Sequence, residues 1–377
     1  MTKSAAMIAT ALVIACEPAA REPRSNAAEG ARSSVPPPRT PPTLAHGINL
    51  GNALDAPSEG DWGVTLDASD FTNVAAAGFD HVRLPARFNA HASSSPPYAV
   101  DRDFLDRVDW AVDQALGAGL SIVIDFHHYE EIMSAPDREA PRFVGIWKNL
   151  AAHFASRPPH VYFELLNEPH DALGADKWNA IVPRALAAIR ATNPTCKVIV
   201  EGVFWASAKN LRDTLRIPDD PNLVGSFHMY QPILFTHQGA SWMPPEFGTR
   251  GVVFPGPPAS PVQPTQATLA VRWTREWFVR YDGEPASTNP CGAATIAEEL
   301  DTARGFADAH HLPIYMGEFG AMDTADDASR ERWLRLVRTE AERRGFGWAY
   351  WDDGGGFAIY DRKTHAWREP LKAALLR

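Results

Sequence analysis

Cysteine, long apolar runs and positive charge are scarce in this chain of 377 residues, and each scarcity excludes a class of protein. Its 3 cysteines are too few for a disulfide-stapled scaffold. No apolar run reaches the ~20 residues that a membrane-spanning helix needs. Lys and Arg total 36 against 46 for Asp and Glu, so the net charge is −10 and we expect no nucleic-acid partner. Because no HExxH or CxxC motif occurs, we expect neither a metal nor another cofactor.

Tryptophan and proline, by contrast, are abundant, with 12 and 32 residues. Tryptophan is favoured where a flat apolar face must be presented. An apolar fraction of 45% is ample for a large core. The length suggests two or three domains at ~150 residues each, although α/β barrels use ~200–250 residues as one domain.

The first 43 residues differ in composition from the rest of the chain. Lys3 precedes an apolar run over residues 5–15, which is typical of a secretory signal. The run ends in Val13-Ile14-Ala15-Cys16, which resembles a bacterial lipobox, so cleavage would leave Cys16 as a lipidated N-terminus. A plain signal with an incidental cysteine is the alternative. Residues 17–43 contain seven prolines and almost no large apolar side chains, which predicts a disordered tether.

We therefore predict three parts: a signal peptide over residues 1–15, a lipidated cysteine with its linker over residues 16–43, and one domain over residues 44–377. This arrangement predicts an exported protein. It would be held at the cell envelope through Cys16, by a single lipid-modified residue rather than a spanning helix, or be secreted.

Beyond residue 44, short apolar runs typical of strands alternate with amphipathic stretches typical of helices. The candidate strands are residues 47–51, 81–84, 121–126, 161–166, 197–201, 223–227, 313–317 and 346–351. Eight strands alternating with helices predict a parallel α/β fold. The competing doubly wound sheet usually carries a GxGxxG loop after its first strand, and that motif is missing here. The sequence therefore favours a single (β/α)8 barrel, also called a TIM barrel.

Polar and aromatic side chains recur where the predicted strands end, which is where a (β/α)8 barrel keeps its active site. Seven of the eight strands deliver such groups: Asn52, Asp55, Arg83, His127, His128, Asn167, Glu168, His228, Tyr230, Glu318 and Trp351. Each residue alone has an ordinary structural explanation, and a polar rim without chemistry is the alternative for the whole set. Carboxylates at the edge of a dry core lose hydration, however, and such positions tend to be functional.

Glu168 and Glu318, on the fourth and seventh strands, would face each other across the barrel mouth. Glycoside hydrolysis needs two carboxylates flanking a bond, one a protonated acid and the other an anion. Asn167 would hold a sugar 2-hydroxyl. Arg83 and Tyr230 would contact Glu318, and the charge of Arg83 would lower the pKa of Glu318 and keep it ionised. An ordinary ion pair for Arg83 and core packing for Tyr230 are the alternatives.

The segments around these residues resemble glycoside hydrolase family 5, a large retaining family of (β/α)8 enzymes. Leu166-Asn167-Glu168-Pro169 resembles its acid/base motif, and Gly317-Glu318-Phe319-Gly320 resembles its nucleophile motif. The resemblance extends from about residue 47 to residue 367. It implies that Glu168 is the catalytic acid/base and Glu318 the nucleophile. Five more residues match shared family positions: Arg83, His127, His228, Tyr230 and Trp351.

A closer resemblance is to the subgroup of bacterial endo-β-1,4-glucanases and mannan-cleaving enzymes. It rests on residues 47–54, 59–63, 127–131 and 235–240. In that subgroup the sugar-binding cleft is lined by the positions of Asn52, Asp55, His127, His128, His237 and Trp242, and Trp351 offers a face for sugar stacking. Asp55 departs from the pattern, because relatives commonly carry Glu there, and its shorter side chain would shift one hydrogen bond. The Asp352-Asp353-Gly354-Gly355-Gly356 segment also departs.

The largest departure is the stretch over residues 244–291, which contains nine prolines. Long rim loops often carry specificity, and a tolerated surface insertion is the alternative. Trp273 and Trp277, four residues apart, would equally form one packed helix face. Cys196 and Cys291 fall near opposite faces of the predicted barrel. A disulfide needs Cα atoms within ~7 Å, so we predict that these two cysteines do not pair.

These observations predict a monomeric, endo-acting, retaining β-1,4-glycanase of the endoglucanase type, which hydrolyses internal bonds of cellulose or β-glucan. β-Mannanase, glucomannanase and xyloglucanase activities are alternatives on the same scaffold. A metal-dependent hydrolase fits less well, because the adjacent His127 and His128 would point to opposite sides of a strand. The non-enzyme alternative is a surface-tethered glycan-binding protein, which the presence of both Glu168 and Glu318 disfavours.

Overall fold

The structure, a computed structural model, describes residues 44–157, 159–352 and 354–377. The predicted signal, Cys16 and the predicted tether lie outside these ranges, as does Asp353. None of the helices within the described ranges combines the length and the apolar character needed to cross a bilayer.

Eight parallel strands close into a barrel in chain order, and the eighth strand pairs with the first. The strands are β1 (His46–Asn49), β2 (His81–Ala86), β3 (Ser121–Phe126), β4 (Val161–Glu164), β5 (Val198–Glu201), β6 (Leu223–Met229), β7 (Ile314–Phe319) and β8 (Gly347–Tyr350). The predicted (β/α)8 barrel is confirmed.

Helices follow the strands and surround the barrel. They are α1 (Ala68–Ala77), α2 (Arg102–Gly117), α3 (Glu130–Ser134), α4 (Pro136–His153), α5 (Ala175–Arg190), α6 (Ala208–Thr214), α7 (Ile233–Thr236), α8 (Gln266–Ala270), α9 (Arg272–Gly283), α10 (Ala293–His310), α11 (Asp327–Arg343) and α12 (Glu369–Leu376). Two 3-10 helices, Phe88–His91 and Pro245–Phe247, and a short antiparallel pair, β9 (Tyr360–Asp361) and β10 (Ala366–Trp367), lie in the loops. Amphipathic helices of this kind bury one face against the strands.

The predicted strands agree with the observed ones to within a few residues. The third matches at both ends, whereas β4 ends at Glu164, two residues earlier than predicted, and β6 continues to Met229. Leu165 and Leu166 are buried although the strand has ended, so apolar character alone could not locate its end. Glu168 consequently lies in the loop after β4 rather than on the strand.

The inside of the barrel has an apolar layer beneath a polar one. The lower layer is formed by Leu44, Val123, Tyr162, Ile199, Val224, Tyr315 and Ala349, all buried. Side chains two positions apart on a strand share a face, so the residues two places after three of these point inward one level higher. They are Asp125, Glu164 and Glu201, each fully buried. The barrel therefore concentrates buried carboxylates directly beneath its mouth.

The stretch over residues 244–291 is ordered around α8 and α9. Trp273 packs against Phe247 with ring centroids 5.8 Å apart. Trp277 stacks on Tyr281 at 4.9 Å. Both tryptophans therefore contribute to packing of the loop, as the packed-face alternative predicts. Cys196 and Cys291 are both free thiols in the described chain.

Candidate active site

Arg83, on β2, is the centre of the buried polar layer. Its Nε and Nη2 donate to the two carboxylate oxygens of Glu164 at 2.7 and 3.0 Å. Its Nη2 lies 3.0 Å from Asp125 Oδ2, and its Nη1 donates to Asn49 Oδ1 at 2.9 Å. All four side chains are fully buried. Such charges are tolerated in a dry interior only when they are paired and hydrogen-bonded in this way.

Glu318, near the end of β7, receives two hydrogen bonds. Its Oε1 accepts from Arg83 Nη1 at 2.8 Å, and its Oε2 accepts from the Tyr230 hydroxyl at 2.9 Å. Burial raises the pKa of Glu318, and the charges of His228 and Arg83 with the Tyr230 hydrogen bond offset this only partly. The predicted contact is present and the charge of Arg83 does lower the pKa of Glu318, but the cost of desolvating the carboxylate outweighs the opposing charges and leaves the pKa raised.

Glu168 lies four residues beyond β4 and has a left-handed backbone, with φ of +45°. Its amide donates to Glu201 Oε2 at 2.7 Å, and the preceding Asn167 amide donates to the Phe126 carbonyl at 3.0 Å. Asn167 Oδ1 accepts from Arg83 Nη2 at 2.8 Å. A strained backbone of this kind persists only where neighbours hold it, and here the buried carboxylate of β5 does so. The side chain of Glu168 remains 25% exposed and thus accessible from the cleft.

His228, on β6, lies among three carboxylates. Its Nδ1 is 2.8 Å from Glu168 Oε1 and 3.5 Å from Glu318 Oε2, and its Nε2 is 2.8 Å from Glu201 Oε1. Burial alone would lower the pKa of His228, but Glu201, Glu318 and Glu168 together raise it well above its usual value. These carboxylates therefore favour the protonated form of His228. One carboxylate oxygen of Glu168 and one of Glu318 lie beside its ring and within 4.8 Å of each other.

His127 and His128 follow β3. His127 Nδ1 is 2.5 Å from Asp125 Oδ2, and its ring stacks on Trp351 at 5.3 Å with an interplanar angle of 4°. Burial lowers the pKa of His127 well below its usual value and that of His128 to about 4, so both imidazoles are neutral at pH 7. Their rings are 4.6 Å apart. The prediction that they point to opposite sides is wrong, because β3 ends at Phe126 and its alternation no longer applies.

Asn52 and Asp55 lie in the loop after β1. The Asn52 side-chain amide donates to Asp352, which also accepts from the Gly355 amide at 3.0 Å. Asp55 is buried and accepts from the Ala53 amide at 2.9 Å. Burial raises the pKa of Asp55 to about 6. The segment that departs from the family pattern after Trp351 is thus tied directly to a predicted sugar-binding residue.

His237 and Trp242 lie beyond β6 and form an aromatic wall with Phe357. His237 is 4.8 Å from the Tyr230 ring and 5.3 Å from the Phe357 ring. Trp242 lies 6.3 Å from Phe357 and is 49% exposed. Burial lowers the pKa of His237 to about 4, so it too is neutral. The structure therefore places all thirteen predicted site residues at one end of the barrel, with Trp242 at its outer margin.

The buried carboxylates of the site were missed by sequence reasoning. Asp125, Glu164 and Glu201 hold Arg83 and His228, yet none was predicted. The available signal was an acidic residue at the end of an apolar run, as in Val198-Ile199-Val200-Glu201. The fifth strand, from which no site residue was predicted, carries one of them.

Exposed aromatic residues around the mouth other than Trp242 were missed as well. Among the described residues, the exposed large apolar side chains are Trp62, Phe204, Trp242 and Val279. Trp62 follows β1 and contacts the His128 ring at 5.7 Å, and Phe204 follows β5. Trp205 stacks on His170 at 5.1 Å. A lone exposed aromatic carries no signal in the sequence, because its neighbours come from other loops.

Three side-chain clusters in the described chain bring potential metal ligands together. They are Asp55 with His127 and His128, Glu164 with Glu201 and His228, and Glu168 with His228 and Glu318. The two clusters that contain His228 are less suited to a metal, because each of its ring nitrogens already lies 2.8 Å from a carboxylate oxygen. The cluster of Asp55, His127 and His128 has two neutral imidazoles and a carboxylate.

Residues 45–355 match the family described as cellulase (glycosyl hydrolase family 5). The chain belongs to this family. The resemblance predicted from the sequence is therefore confirmed, and the barrel is a glycoside hydrolase domain.

Individual relatives agree with this family membership. Endoglucanase H of Acetivibrio thermocellus is 31% identical over 338 residues, or 88% of this chain, although the chain spans only 33% of that protein's length. Endoglucanase C of Acetivibrio thermocellus is 28% identical and is covered over 94% of its length by 84% of this chain.

Two solved structures extend the comparison to the fold. Endoglucanase Cel5A from Thermotoga maritima superposes with a TM-score of 0.75 at 36% identity, over 88% of this chain and 97% of that one. The cellulose synthase subunit Z of Clostridioides difficile gives a TM-score of 0.77 at 32% identity, over 89% of this chain and all of the other. The similarity therefore covers nearly the whole of the described barrel.

Proposed function

We propose that this protein is an endo-acting, retaining β-1,4-glucanase. The observation that carries the proposal is the pairing of Glu168 and Glu318 at the barrel mouth, where one carboxylate oxygen of each residue lies within 4.8 Å of the other. Retaining glycosidases hold their two carboxyl groups about 5–5.5 Å apart, whereas inverting enzymes need about 6.5–9.5 Å to admit a water molecule. The short separation favours a covalent intermediate over direct attack by water.

In the first step, Glu318 Oε2 or Oε1 attacks the anomeric carbon while Glu168 transfers its proton to the departing glycosidic oxygen. The C–O bond to the leaving sugar breaks as the glycosyl ester of Glu318 forms. Arg83 and Tyr230 stabilise Glu318 as an anion before attack and orient its oxygens. Both hydrogen bonds to Glu318 are formed before the reaction begins, so no free energy is needed to reorganise these groups during the reaction.

In the second step, Glu168 takes a proton from water, and the resulting hydroxide displaces Glu318 from the anomeric carbon with net retention. Glu168 must therefore cycle between protonated and ionised forms. Its partial exposure suits that role, because it lets water and the leaving group reach the carboxyl group, and the contact of its Oε1 with His228 Nδ1 at 2.8 Å orients it. Asn167 Oδ1 accepts from Arg83, so we expect its side-chain NH2 to donate a hydrogen bond to the sugar 2-hydroxyl.

The endo mode is supported by the distribution of exposed aromatic residues. Trp62, Phe204 and Trp242 lie on three different loops after barrel strands, and Trp351 stacks on His127 among the site residues. Flat apolar faces spread around an open mouth suit a polysaccharide that extends beyond the cleavage point on both sides. Several relatives carry the name endoglucanase.

Mannan is the second candidate substrate. Thermotoga maritima Cel5A, 35% identical to this chain, has been solved in complex with cellobiose and in complex with mannotriose. Glucose and mannose differ in the orientation of one hydroxyl, which a few cleft contacts distinguish. Asp55, where relatives commonly carry Glu, is the residue of this chain that we expect to influence that choice.

The decisive experiment replaces each carboxylate by its amide. We expect Glu318→Gln and Glu168→Gln to lower kcat on carboxymethylcellulose by about 10³-fold or more, because each removes a group that acts directly on the bond. Glu331→Gln, which alters an exposed ion pair with Arg335 on α11, is the matched control and should retain activity. If Glu318→Gln kept most of the wild-type turnover, the assignment would fail.

Retention and substrate choice need two further measurements. The anomeric configuration of the first product, followed by NMR on a cellooligosaccharide, should be β; an initial α product would contradict the double displacement. An activity panel of carboxymethylcellulose, mixed-linkage glucan, xyloglucan, glucomannan, galactomannan and xylan then ranks the polymers. We expect glucans to lead, and a galactomannan rate above the glucan rates would replace glucanase by mannanase.

We further propose that the protein is exported and anchored through Cys16. The support is the lipobox-like segment before Cys16 and the Pro-rich stretch that separates it from the barrel. Metabolic labelling with a radioactive fatty acid in a bacterial host should mark the wild-type chain and not Cys16→Ser. Absence of label from both would favour a plain signal peptide, and equal labelling of the two would show that the lipid is attached to a residue other than Cys16.

A further inference from the structure

We propose that Asp55, His127 and His128 form a binding site for a divalent transition metal such as Zn²⁺, and that metal bound there inhibits the enzyme. The metal has no part in the proposed double displacement. The binding half of this proposal is independent of the catalytic assignment, whereas the inhibition half rests on the proposed function.

The first argument is the donor set. Each of the three side chains offers one ligand atom, and these atoms all lie within 4.8 Å of one another. Two imidazole nitrogens and one carboxylate oxygen are a common zinc ligand set, with a fourth position left open for water. Ligand distances of about 2.0–2.1 Å place neighbouring donors about 3.4 Å apart in a tetrahedron, so the donors must approach one another by at most about 1.4 Å.

The second argument is the support around His127. Its Nδ1 is held by Asp125 Oδ2 at 2.5 Å, which leaves Nε2 as the free ligand nitrogen. A carboxylate on the far nitrogen fixes the tautomer and orientation of a metal-binding histidine. The carboxylate of Asp125 is itself fixed by Arg83 at 3.0 Å, and the face of the imidazole is fixed by stacking on Trp351. One ligand is therefore held in place before any metal arrives.

The other two ligands differ in freedom. Asp55 is buried and anchored by the Ala53 amide, so its carboxylate is held close to one position. The His128 side chain is 32% exposed, and its ring touches His127 and the edge of Trp62. His128 can therefore turn to complete the coordination. Two fixed ligands and one adjustable ligand suit reversible capture of an ion from solution.

Inhibition follows from the position of the cluster. All three ligands belong to the loops after β1 and β3 that line the predicted sugar-binding cleft, and His127 stacks directly on Trp351. An ion with its water ligands would occupy the space that a sugar ring needs. We therefore expect Zn²⁺ to raise the apparent KM in proportion to its concentration, to leave kcat at saturating substrate unchanged, and to be fully reversed by a chelator.

Calorimetric titration of ZnCl2 into the chelator-treated, reduced full chain tests the binding directly. We expect one strong site, and a Kd at least tenfold weaker in both Asp55→Asn and His128→Gln. His153→Gln is the matched control, because it removes a histidine that contacts Asp109 on the outer surface, at 2.6 Å. Its Kd should equal that of the wild type. An unchanged Kd in Asp55→Asn and His128→Gln, or a loss confined to His153→Gln, would overturn the proposal.

Two of the variants separate loss of the metal site from loss of folding and from failure of the proposed function. His128→Gln changes a partly exposed loop residue. It therefore remains a valid test of Zn²⁺ binding even if Asp55→Asn lowers the thermal unfolding midpoint. Glu318→Gln should bind Zn²⁺ with the wild-type Kd although it should not turn over. If Glu318→Gln proves active, the proposed function fails and the metal site stands. If Glu318→Gln is inactive but the wild-type chain shows no strong Zn²⁺ site, the metal-site proposal fails and the proposed function stands.

Discussion

At the scale of the residue, Arg83 shows how a barrel can hold several carboxylates in one dry space. Its guanidinium donates to Glu164, Asn49, Glu318 and Asn167, four acceptors on different strands and loops. The planar fork of a guanidinium suits such a role, whereas the compact ammonium of a lysine does not. Arg83 is thus both a structural residue and a positioning residue for the candidate nucleophile.

Arg83→Met should destabilise the protein by about 3–5 kcal/mol, because it leaves buried carboxylates without their cation. Urea unfolding measures the loss. Arg102→Met is the matched control: its ion pair with Asp106 is highly exposed, so we expect a change below about 1 kcal/mol. Equal effects of the two substitutions would show that Arg83 is not the support that its contacts indicate.

Tyr230→Phe tests the electrostatics of Glu318. The Tyr230 hydrogen bond lowers the pKa of Glu318, so its removal should raise that pKa further. In the proposed mechanism attack requires ionised Glu318, and activity is lost as the pH falls through its pKa, so the acidic limb of kcat/KM should move to higher pH. At neutral pH we expect about a 10- to 100-fold loss in kcat/KM, since a hydrogen bond to a charged group contributes ~1.5–3 kcal/mol. An unmoved acidic limb would contradict the contact.

At the scale of the element, closure of the barrel depends on how closely β8 approaches the start of β1. A Cβ atom added to Gly347 would overlap the backbone carbonyl oxygen of Leu44, which no side-chain movement can relieve. The two strands are paired along this seam, where the Trp348 amide donates to the Ala45 carbonyl at 3.1 Å. Glycine is required at this position because two backbones meet there.

Gly347→Ala should therefore lower the free energy of unfolding by at least about 2 kcal/mol, since overpacking here must part the strands. Chemical denaturation followed by circular dichroism checks this. Gly117→Ala, at the end of α2, is the control because its new methyl group meets nothing within 4 Å. We expect that variant to lie within about 1 kcal/mol of the wild type, on the stabilising side. Similar stabilities for the two variants would refute the close approach.

At the scale of the whole molecule, the folded unit extends beyond the stretch that matches the family. That match ends at residue 355, yet Ile359, Leu371 and Leu375 are buried, and Arg330 of α11 donates to the Phe357 carbonyl at 2.9 Å. Leu371 and Leu375 lie on α12, which packs against α11. The last residues therefore complete the apolar shell around the barrel.

Truncation after residue 355 should leave a chain that does not fold stably. Each of the three buried aliphatic side chains contributes about 1.5–3 kcal/mol, and their sum is comparable with the ~5–15 kcal/mol of a typical domain. A chain of residues 44–377 is the control and should keep the thermal midpoint and activity of the full chain. A cooperative unfolding transition in residues 44–355 at an unchanged midpoint would show that the C-terminal segment is dispensable.

Much of the fold and of the site could be predicted from local patterns. The apolar runs located all eight strands, and Leu166-Asn167-Glu168-Pro169 and Gly317-Glu318-Phe319-Gly320 located the two candidate catalytic carboxylates. Strand ends were less predictable, because Leu165 and Leu166 stay buried after pairing has stopped. The histidines after β3 were placed wrongly, because a loop does not keep the alternation of the strand before it.

The sequence by itself determined which residues reach the barrel mouth, since side-chain alternation and the polarity of the strand ends are local properties. Only the tertiary structure decided their charge states and partners. Arg83 meets Glu318 across a sequence separation of 235 residues. The pKa of His228 is raised because Glu201, Glu318 and Glu168 lie beside it, and the pKa of Glu318 is raised because it is buried. Desolvation and Coulomb interaction depend on distances in space, which strand and loop patterns do not contain.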